Sequence, residues 1–244
     1  MLDSMSGLSP LAVSVIVPTW NEGKYLVKLL ESLKSQTFKD FEVIVADSGS
    51  EDETAEVAFR YGSRLEQGPR KGAGEGRNRG ARVAKGDILV FIDSDCVASK
   101  NLLEKVIDAC EEPEVIGGTF AFYPLDGTWL DNLLYKFGNI YEKASIALGF
   151  YHNSGYGFFY RRRIFEELGG IREDVVLNET HDLALRSRGK GQFVYLDTPV
   201  YTSMRRYRKY GYLETIVKIY VWSTLYYYLT KQSPRERFEF KPAR

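Results

Sequence analysis

Three short runs of the chain constrain its fold more than any other feature. VSVIVP (13–18), FEVIVA (41–46) and DILVFID (87–93) are nearly unbroken apolar stretches rich in β-branched residues. That is the pattern of strands buried on both faces of a parallel sheet. Segments of helical spacing alternate with them. In Glu22–Gln36 the residues Tyr25, Leu26, Leu29, Leu30 and Leu33 fall on one side, and helices are expected again at 53–61 and 77–85, with a short strand near 64–66. Strand and helix in alternation predict an α/β domain: a mostly parallel central sheet flanked by helices on both faces.

After residue 100 the order becomes mixed. Helices are expected at 102–110 and 128–148, the second with Trp129, Leu133, Leu134, Phe137 and Tyr141 on one side. One or more strands are expected at 115–123, a Gly/aromatic loop at 151–160, short helices at 162–168 and 181–188, and a strand at 192–196. With 244 residues, 44% of them apolar, the chain has the length for one domain with its own core, and disordered or collagen-like classes are set aside. Cys96 and Cys110 are too few for a disulfide framework and suit a reducing compartment. The opening MLDSMSGLSPLA lacks a basic segment ahead of a long apolar core, so it reads as a short leader and not as a secretory signal.

Thirty-three Lys/Arg balance thirty-three Asp/Glu, yet the charge is uneven. Residues 205–244 hold ten Lys/Arg against three acids, a net +7, which leaves −7 on positions 1–204. Within this tail, YLETIVKIYVWSTLYYYLT (212–230) is helical in character and strongly aromatic, but Glu214 and Lys218 interrupt it. A spanning helix needs about 20 apolar residues. An apolar face with interface-seeking aromatics and flanking cations predicts instead a helix lying in a membrane interface, with packing against the domain as the alternative. Because the cations gather in a tail and do not spread over a groove, nucleic-acid binding is not expected.

In open parallel sheets ligands sit beyond the carboxyl ends of the strands. There the three apolar runs end in Pro18-Thr19-Trp20-Asn21-Glu22, Asp47-Ser48-Gly49-Ser50 and Asp93-Ser94-Asp95. Several carboxylates on one rim call for a cation, and Asp93-x-Asp95 offers hard oxygen ligands of the kind Mg²⁺ or Mn²⁺ shares with substrate phosphate. An ionised Asp47 would favour a base edge that donates, as uracil and guanine do, although it could equally close an Asp-Ser-Gly turn. GPRKGAGEGRNRG (68–80) sets glycines and cations at a helix N-terminus, a place for phosphate. It is neither a dinucleotide fingerprint, since Arg77 stands where the third glycine belongs, nor a P-loop.

Taken in order, VSVIVPTWNE, EVIVADSGSEDET, GEGRNRGARVAKGDILVFIDSDC, SGYGFFYRRRIFEELGG and NETHDLALRSRGKGQ resemble the family-2 inverting glycosyltransferases of the GT-A fold, over about residues 13–200. The resemblance implies a GT-A catalytic domain over 1–204, with a nucleotide-sugar half (13–100) and an acceptor half (101–204); the basic aromatic helical segment (205–244), read from its composition, follows it. It implies that Pro18, Thr19, Glu22 and Asp47 hold the nucleoside, with Asp47 on the base, and that Arg77 lies near the base or diphosphate. Asp93 and Ser94 would hold the nucleotide, Asp93 and Asp95 a divalent metal (Mn²⁺ or Mg²⁺), and Ser154, Gly155 and Tyr156 the sugar and acceptor.

Two departures stand out. Thr180 occupies the position of the usual catalytic aspartate, so Glu179 or Asp182 supplies the base, or an ionised acceptor needs none; Asp182 could instead pair with Arg186 one turn on. Pro199–Ser203 lacks the late histidine of many relatives, and His152 and His181 receive no role. The expected function is metal-dependent transfer from GDP-mannose or a UDP-sugar to a lipid-linked or polyprenyl-phosphate acceptor, by a peripheral protein at the cytoplasmic membrane face. A nucleotidyltransferase, and a non-catalytic sugar- or lipid-binding module on the same fold, are the rivals.

Overall fold

The computed structural model describes residues 12–232. The leader expected at the N-terminus and the last part of the basic tail, 233–244, lie outside the described residues.

The first half follows the expected alternation. Strand β1 (Val13–Thr19) leads to helix α1 (Gly23–Lys34), β2 (Phe41–Asp47) to α2 (Thr54–Arg60), and β3 (Arg64–Gln67) to α3 (Ala73–Val83) and β4 (Ile88–Ile92). These four strands are parallel, in the order β3-β2-β1-β4. β1 and β4 are buried along their whole length because helices cover both faces. Leu26, Leu29, Leu30 and Leu33 seal α1 onto one face, while Ala81 of α3 packs on the other with Ile16, Ile44 and Phe91.

The second half departs from the sequence reading. After β5 (Cys96–Ala98), α4 (Leu102–Cys110), β6 (Val115–Pro124) and α5 (Trp129–Ala147) come β7 (Gly157–Arg161), α6 (Arg162–Glu167), α7 (Glu179–Arg186) and β8 (Gln192–Thr202). The loop expected at 151–160 ends early, for Gly157–Arg161 is a central strand, antiparallel to both β4 and β6. Phe158, Phe159 and Tyr160 are fully buried on alternating faces, and a Cβ at Gly157 would come within 2.9 Å of Phe120. Pro199 does not end β8, which continues past an irregularity opposite Phe120/Ala121 and pairs with β6 and the unexpected short strand β5. The helix expected from Arg77 begins four residues earlier, after Gly72 at φ 112°, a conformation glycine adopts without strain.

Helix α5 is inverted relative to an ordinary surface helix. Its buried residues include Asp131, Asn139 and Glu142, while Trp129 (77% exposed), Phe137 (61%), Ile140 and Tyr141 face outward. The polar face has partners to justify its burial. Asp131 closes a capping box with Thr128, and Asn139 receives the Phe122 amide (3.0 Å) and donates to the Phe122 carbonyl (2.7 Å), taking the place of a neighbouring strand on β6.

The tail forms α8 (Arg205–Tyr210), a π-helical stretch Glu214–Trp222 and α9 (Ser223–Thr230). Tyr212 Oη donates to Asp131 at 2.7 Å and Tyr207 packs near Tyr135, so the tail lies against α5. It too keeps apolar residues outward, among them Leu213, Val221 and Leu229. Among the described residues no helix is long and apolar enough to cross a membrane.

Candidate active site

A cavity of about 470 Å³ opens beyond the carboxyl ends of β1 and β4, within the size range of small-molecule sites. Pro18, Thr19, Trp20 and Glu22 from the first rim loop, Ser48 from the second, and Asp93 and Asp95 from the third all line it. Gly72, Ala73 and Arg77 bring the N-terminal turn of α3 to the wall, and the opposite side is made by 152–156 and by Asn178, Glu179, Thr180 and His181 at the start of α7.

Charge is interleaved here. Arg77, 3% exposed, donates to Asp93 Oδ1 (2.6 Å) and Glu179 Oε1 (2.9 Å). Burial acts to lower its pKa, but the two carboxylates outweigh that and the net direction is up. Burial raises the pKa of Glu179 against the pull of Arg77. Arg205 of α8 grips both oxygens of Glu22 (2.7 Å each) and reaches Asp95 Oδ2 through Nε (3.1 Å). Burial likewise raises Asp95 and Glu22, with Arg205 opposing and the neighbouring carboxylates reinforcing the rise. Arg206 lies within electrostatic reach of Asp95 and Asp93. Arg70 stacks on the Trp20 ring, 3.2 Å from its centroid, and both line the cavity.

The sequence-derived residues therefore divide. Pro18, Thr19, Glu22, Arg77, Asp93, Asp95, Ser154, Gly155, Tyr156 and Glu179 converge on one cavity. Three others are held elsewhere and are not among the lining residues. Asp47 is fully buried, and its carboxylate closes its own turn by accepting from Ser50 Oγ (2.5 Å) and the Ser50 amide, so Ser48 and not Asp47 reaches the wall. Ser94 is buried beside the rim. Asp182 is clamped by Arg186 (2.6 Å), Arg172 (3.3 Å) and Tyr227 Oη (2.5 Å), the helix pairing with Arg186 being the alternative its i,i+4 spacing allowed.

Sequence reasoning assigned no site role to Trp20, Arg70, His152, Asn178 or His181, and placed Arg205, Arg206, Tyr220 and Thr224 only in the expected membrane-facing segment, yet all are on the wall. For Trp20 and Arg70 a signal existed, since one follows Thr19 directly and the other lies in the glycine-rich segment. For Arg205 none did, because its partner Glu22 is 183 residues away.

This architecture is the GT-A fold. The chain superposes on a mannosyltransferase from Pyrobaculum calidifontis in complex with GDP-Man and Mn²⁺ with a TM-score of 0.72, at 21% identity, covering 94% of this chain and 69% of that one. It superposes on Staphylococcus aureus TarS (residues 1–349) with a TM-score of 0.64, at 22% identity, covering 81% and 62%. The Glycosyl transferase family 2 model matches residues 14–169, well over half of the chain, and the chain belongs to that family. It is 32% identical over 126 residues to the glycosyltransferase GlyG of Streptococcus pneumoniae, covering 48% of this chain and 42% of that protein. It is also 32% identical over 146 residues to the glycosyltransferase AglE of Haloferax volcanii, covering 55% and 48%. The matched region spans less than half the length of either relative.

Proposed function

We propose that the chain is an inverting glycosyltransferase that moves a sugar from a nucleoside-diphosphate donor, UDP- or GDP-linked, to a lipid-linked or polyprenyl-phosphate acceptor. The observation that carries this reading is the convergence of three strand-end carboxylates, Glu22, Asp93 and Asp95, with Arg77, Arg205 and the N-terminal turn of α3 around one cavity. The two structural neighbours support it by the company they keep: one is described with GDP-Man and Mn²⁺, and TarS also with UDP-GlcNAc.

A divalent cation fits the donor set. Among the described residues Asp93 and Asp95 each keep one oxygen outside an ion pair, and Mg²⁺ or Mn²⁺ would complete its shell with substrate phosphate and water. Among the described residues no group of three or more His, Cys, Asp or Glu is placed to hold a metal alone, so substrate would supply the remaining ligands. When bound, the ion would offset negative charge on the departing diphosphate. Arg77 and the N-terminal turn of α3 would do the same from the protein side. The acceptor would approach past Ser154, Gly155 and Tyr156. Its oxygen would bond to the anomeric carbon as the bond to the diphosphate breaks on the opposite face, while a hydroxyl proton passes to Glu179. Of the two carboxylates considered for base duty, Glu179 is the one on the wall and Asp182 is held by its two arginines and Tyr227. Asp47 would act on base recognition through the turn that presents Ser48. The basic segment from Arg205 onward, with the outward apolar faces of α5 and the tail, would rest on the inner face of a membrane.

The test is release of UDP or GDP from UDP-GlcNAc, UDP-glucose and GDP-mannose in the presence of Mn²⁺. One donor turns over, and Asp93→Ala or Asp95→Ala lowers the rate by at least about a hundredfold, the scale of a lost charge-stabilising group. Full activity in both variants would remove the metal assignment.

A further inference from the structure

Most of the buried side-chain nitrogen and oxygen atoms that lack a hydrogen-bond partner among the described residues belong to residues that line this one cavity. Four of them gather on the acceptor side: Nδ2 of Asn153, Nδ2 of Asn178, Nδ1 of His152 and Nδ1 of His181. Asn153, Asn178 and His181 are each more than nine-tenths buried. Their other polar atoms are engaged and fix the side chains. Asn153 Oδ1 accepts from the Gly155 amide (2.9 Å), Asn178 Oδ1 from Thr224 Oγ1 (3.3 Å), and His181 Nε2 meets Tyr228 Oη (3.1 Å). The two imidazoles sit 4.6 Å apart, centroid to centroid, with Tyr141 edge-on to His152 at 5.3 Å. A buried polar atom without a partner is costly, and a set carried by residues that line one cavity marks a place for a ligand that supplies the missing bonds.

The chemistry of that ligand follows from charge. None of the four side chains is ionised at neutral pH: burial lowers His152 to about 4 and His181 to about 3, and Glu142, which accepts from the Ser154 amide behind them, is raised by burial to about 8. The cations of the wall stand elsewhere, Arg77 and Arg205 on the carboxylates, Arg70 on Trp20, and Arg206 facing Tyr220, Tyr156 and Asp95. An ionised phosphate placed among four neutral groups would lose its hydration for little counter-charge, since Lys231, the cation within electrostatic reach of His181, sits over the Tyr227 and Tyr228 rings and is opposed there by Asp182. A sugar hydroxyl both donates and accepts, which suits amide N–H groups beside neutral imidazole nitrogens.

We propose that Asn153, Asn178, His152 and His181 form a subsite for an uncharged sugar ring, so that the group glycosylated is a carbohydrate hydroxyl and not a phosphate. This rests on the transferase reading and fixes the chemistry of the acceptor group, leaving its lipid attachment to the test. The ring can belong to a free saccharide or to the head of a glycolipid.

The experiment uses the full chain with Mn²⁺ and whichever of UDP-GlcNAc, UDP-glucose or GDP-mannose it binds. Nucleoside diphosphate release is followed with methyl glycosides, dodecyl glycosides and a polyprenyl phosphate as acceptors. A neutral glycoside stimulates release at least about tenfold over donor alone, a difference of about 1.4 kcal/mol in barrier. Preference for dodecyl over methyl glycosides identifies a glycolipid head, and equal response a soluble saccharide. Asn153→Asp and Asn178→Asp, isosteric and tolerated at a loop and a helix N-cap, raise the acceptor KM about three- to tenfold, the value of one hydrogen bond, and raise it more than the donor KM. Stimulation by the polyprenyl phosphate alone, or by no acceptor while a nucleotide sugar binds, overturns the subsite. Failure of every nucleotide sugar to bind overturns instead the donor reading beneath it.

Discussion

With 3% of its side chain exposed, Arg77 commits two guanidinium nitrogens to carboxylates that approach from β4 and α7. Removing one partner from a buried ion pair leaves the others uncompensated, so Arg77→Met is expected to cost about 3 kcal/mol in urea unfolding. Arg77→Lys recovers only part of this, because a single ammonium cannot fork between Asp93 and Glu179. Glu179→Gln keeps an acceptor for Arg77 but cannot take a proton. With a hydroxyl acceptor its kcat is predicted to fall about a hundredfold or more, with a smaller change in donor KM, measured by steady-state kinetics. An unchanged kcat would clear Glu179 of base duty. Residues at this scale were legible where the strand-end rule applies, as for Thr19, Asp93 and Asp95. Where a carboxylate could choose between ligand and neighbour the sequence left both options open, and the neighbour prevailed: Asp47 turned to Ser50, and Asp182 to Arg186, Arg172 and Tyr227.

Among the elements, α5 carries the largest departure from an ordinary amphipathic pattern. Its apolar stripe was visible in the sequence, but spacing alone does not say which face meets the protein, and here the backbone of β6 and the Ser154 amide attract the polar face inward. Glu142 is consequently buried with its pKa raised from 4.5 to about 8. A raised carboxyl stabilises the fold below its unfolded pKa and withdraws that stability as pH climbs through the folded value. Glu142→Gln should therefore show a Tm advantage over wild type that grows from about pH 5 to pH 8, and an advantage independent of pH would contradict the assignment. On the outer face, Phe137→Ser and Leu213→Ser remove exposed apolar area and should leave urea stability nearly unchanged while weakening co-sedimentation with anionic phosphatidylglycerol vesicles. Equal sedimentation of wild type and variants would deny these faces a lipid role. Strand β7 was hidden for a related reason, since an aromatic run behind glycines fits a loop as well as a central strand until Phe120 and Phe91 are seen packed on either side of it.

On the scale of the whole molecule, the tail read as an appendage is part of the site. Arg205, Arg206, Tyr220 and Thr224 line the cavity, and the Arg205 guanidinium neutralises Glu22 and Asp95 where a metal and diphosphate would otherwise place their charges. Arg205→Gln should lower Tm without metal, because neighbouring carboxylates lose their counter-charge, and should enlarge the rise in Tm that Mn²⁺ produces. A smaller Mn²⁺ effect in the variant would show that Arg205 assists the ion and does not compete with it. The α/β order and the rim motifs were readable because they are local and periodic. The closure of the site by its C-terminal segment was not, since it depends on contacts between residues nearly two hundred positions apart.

The central claim is that this rim binds a nucleoside diphosphate together with a divalent cation. Calorimetric titration of UDP and GDP into the full chain, with Mn²⁺ and again with the metal chelated, tests it most directly. The account predicts saturable binding of one of the two nucleotides that requires Mn²⁺ and is lost in Asp95→Ala. Binding of neither nucleotide, or binding of equal strength without metal, would contradict it.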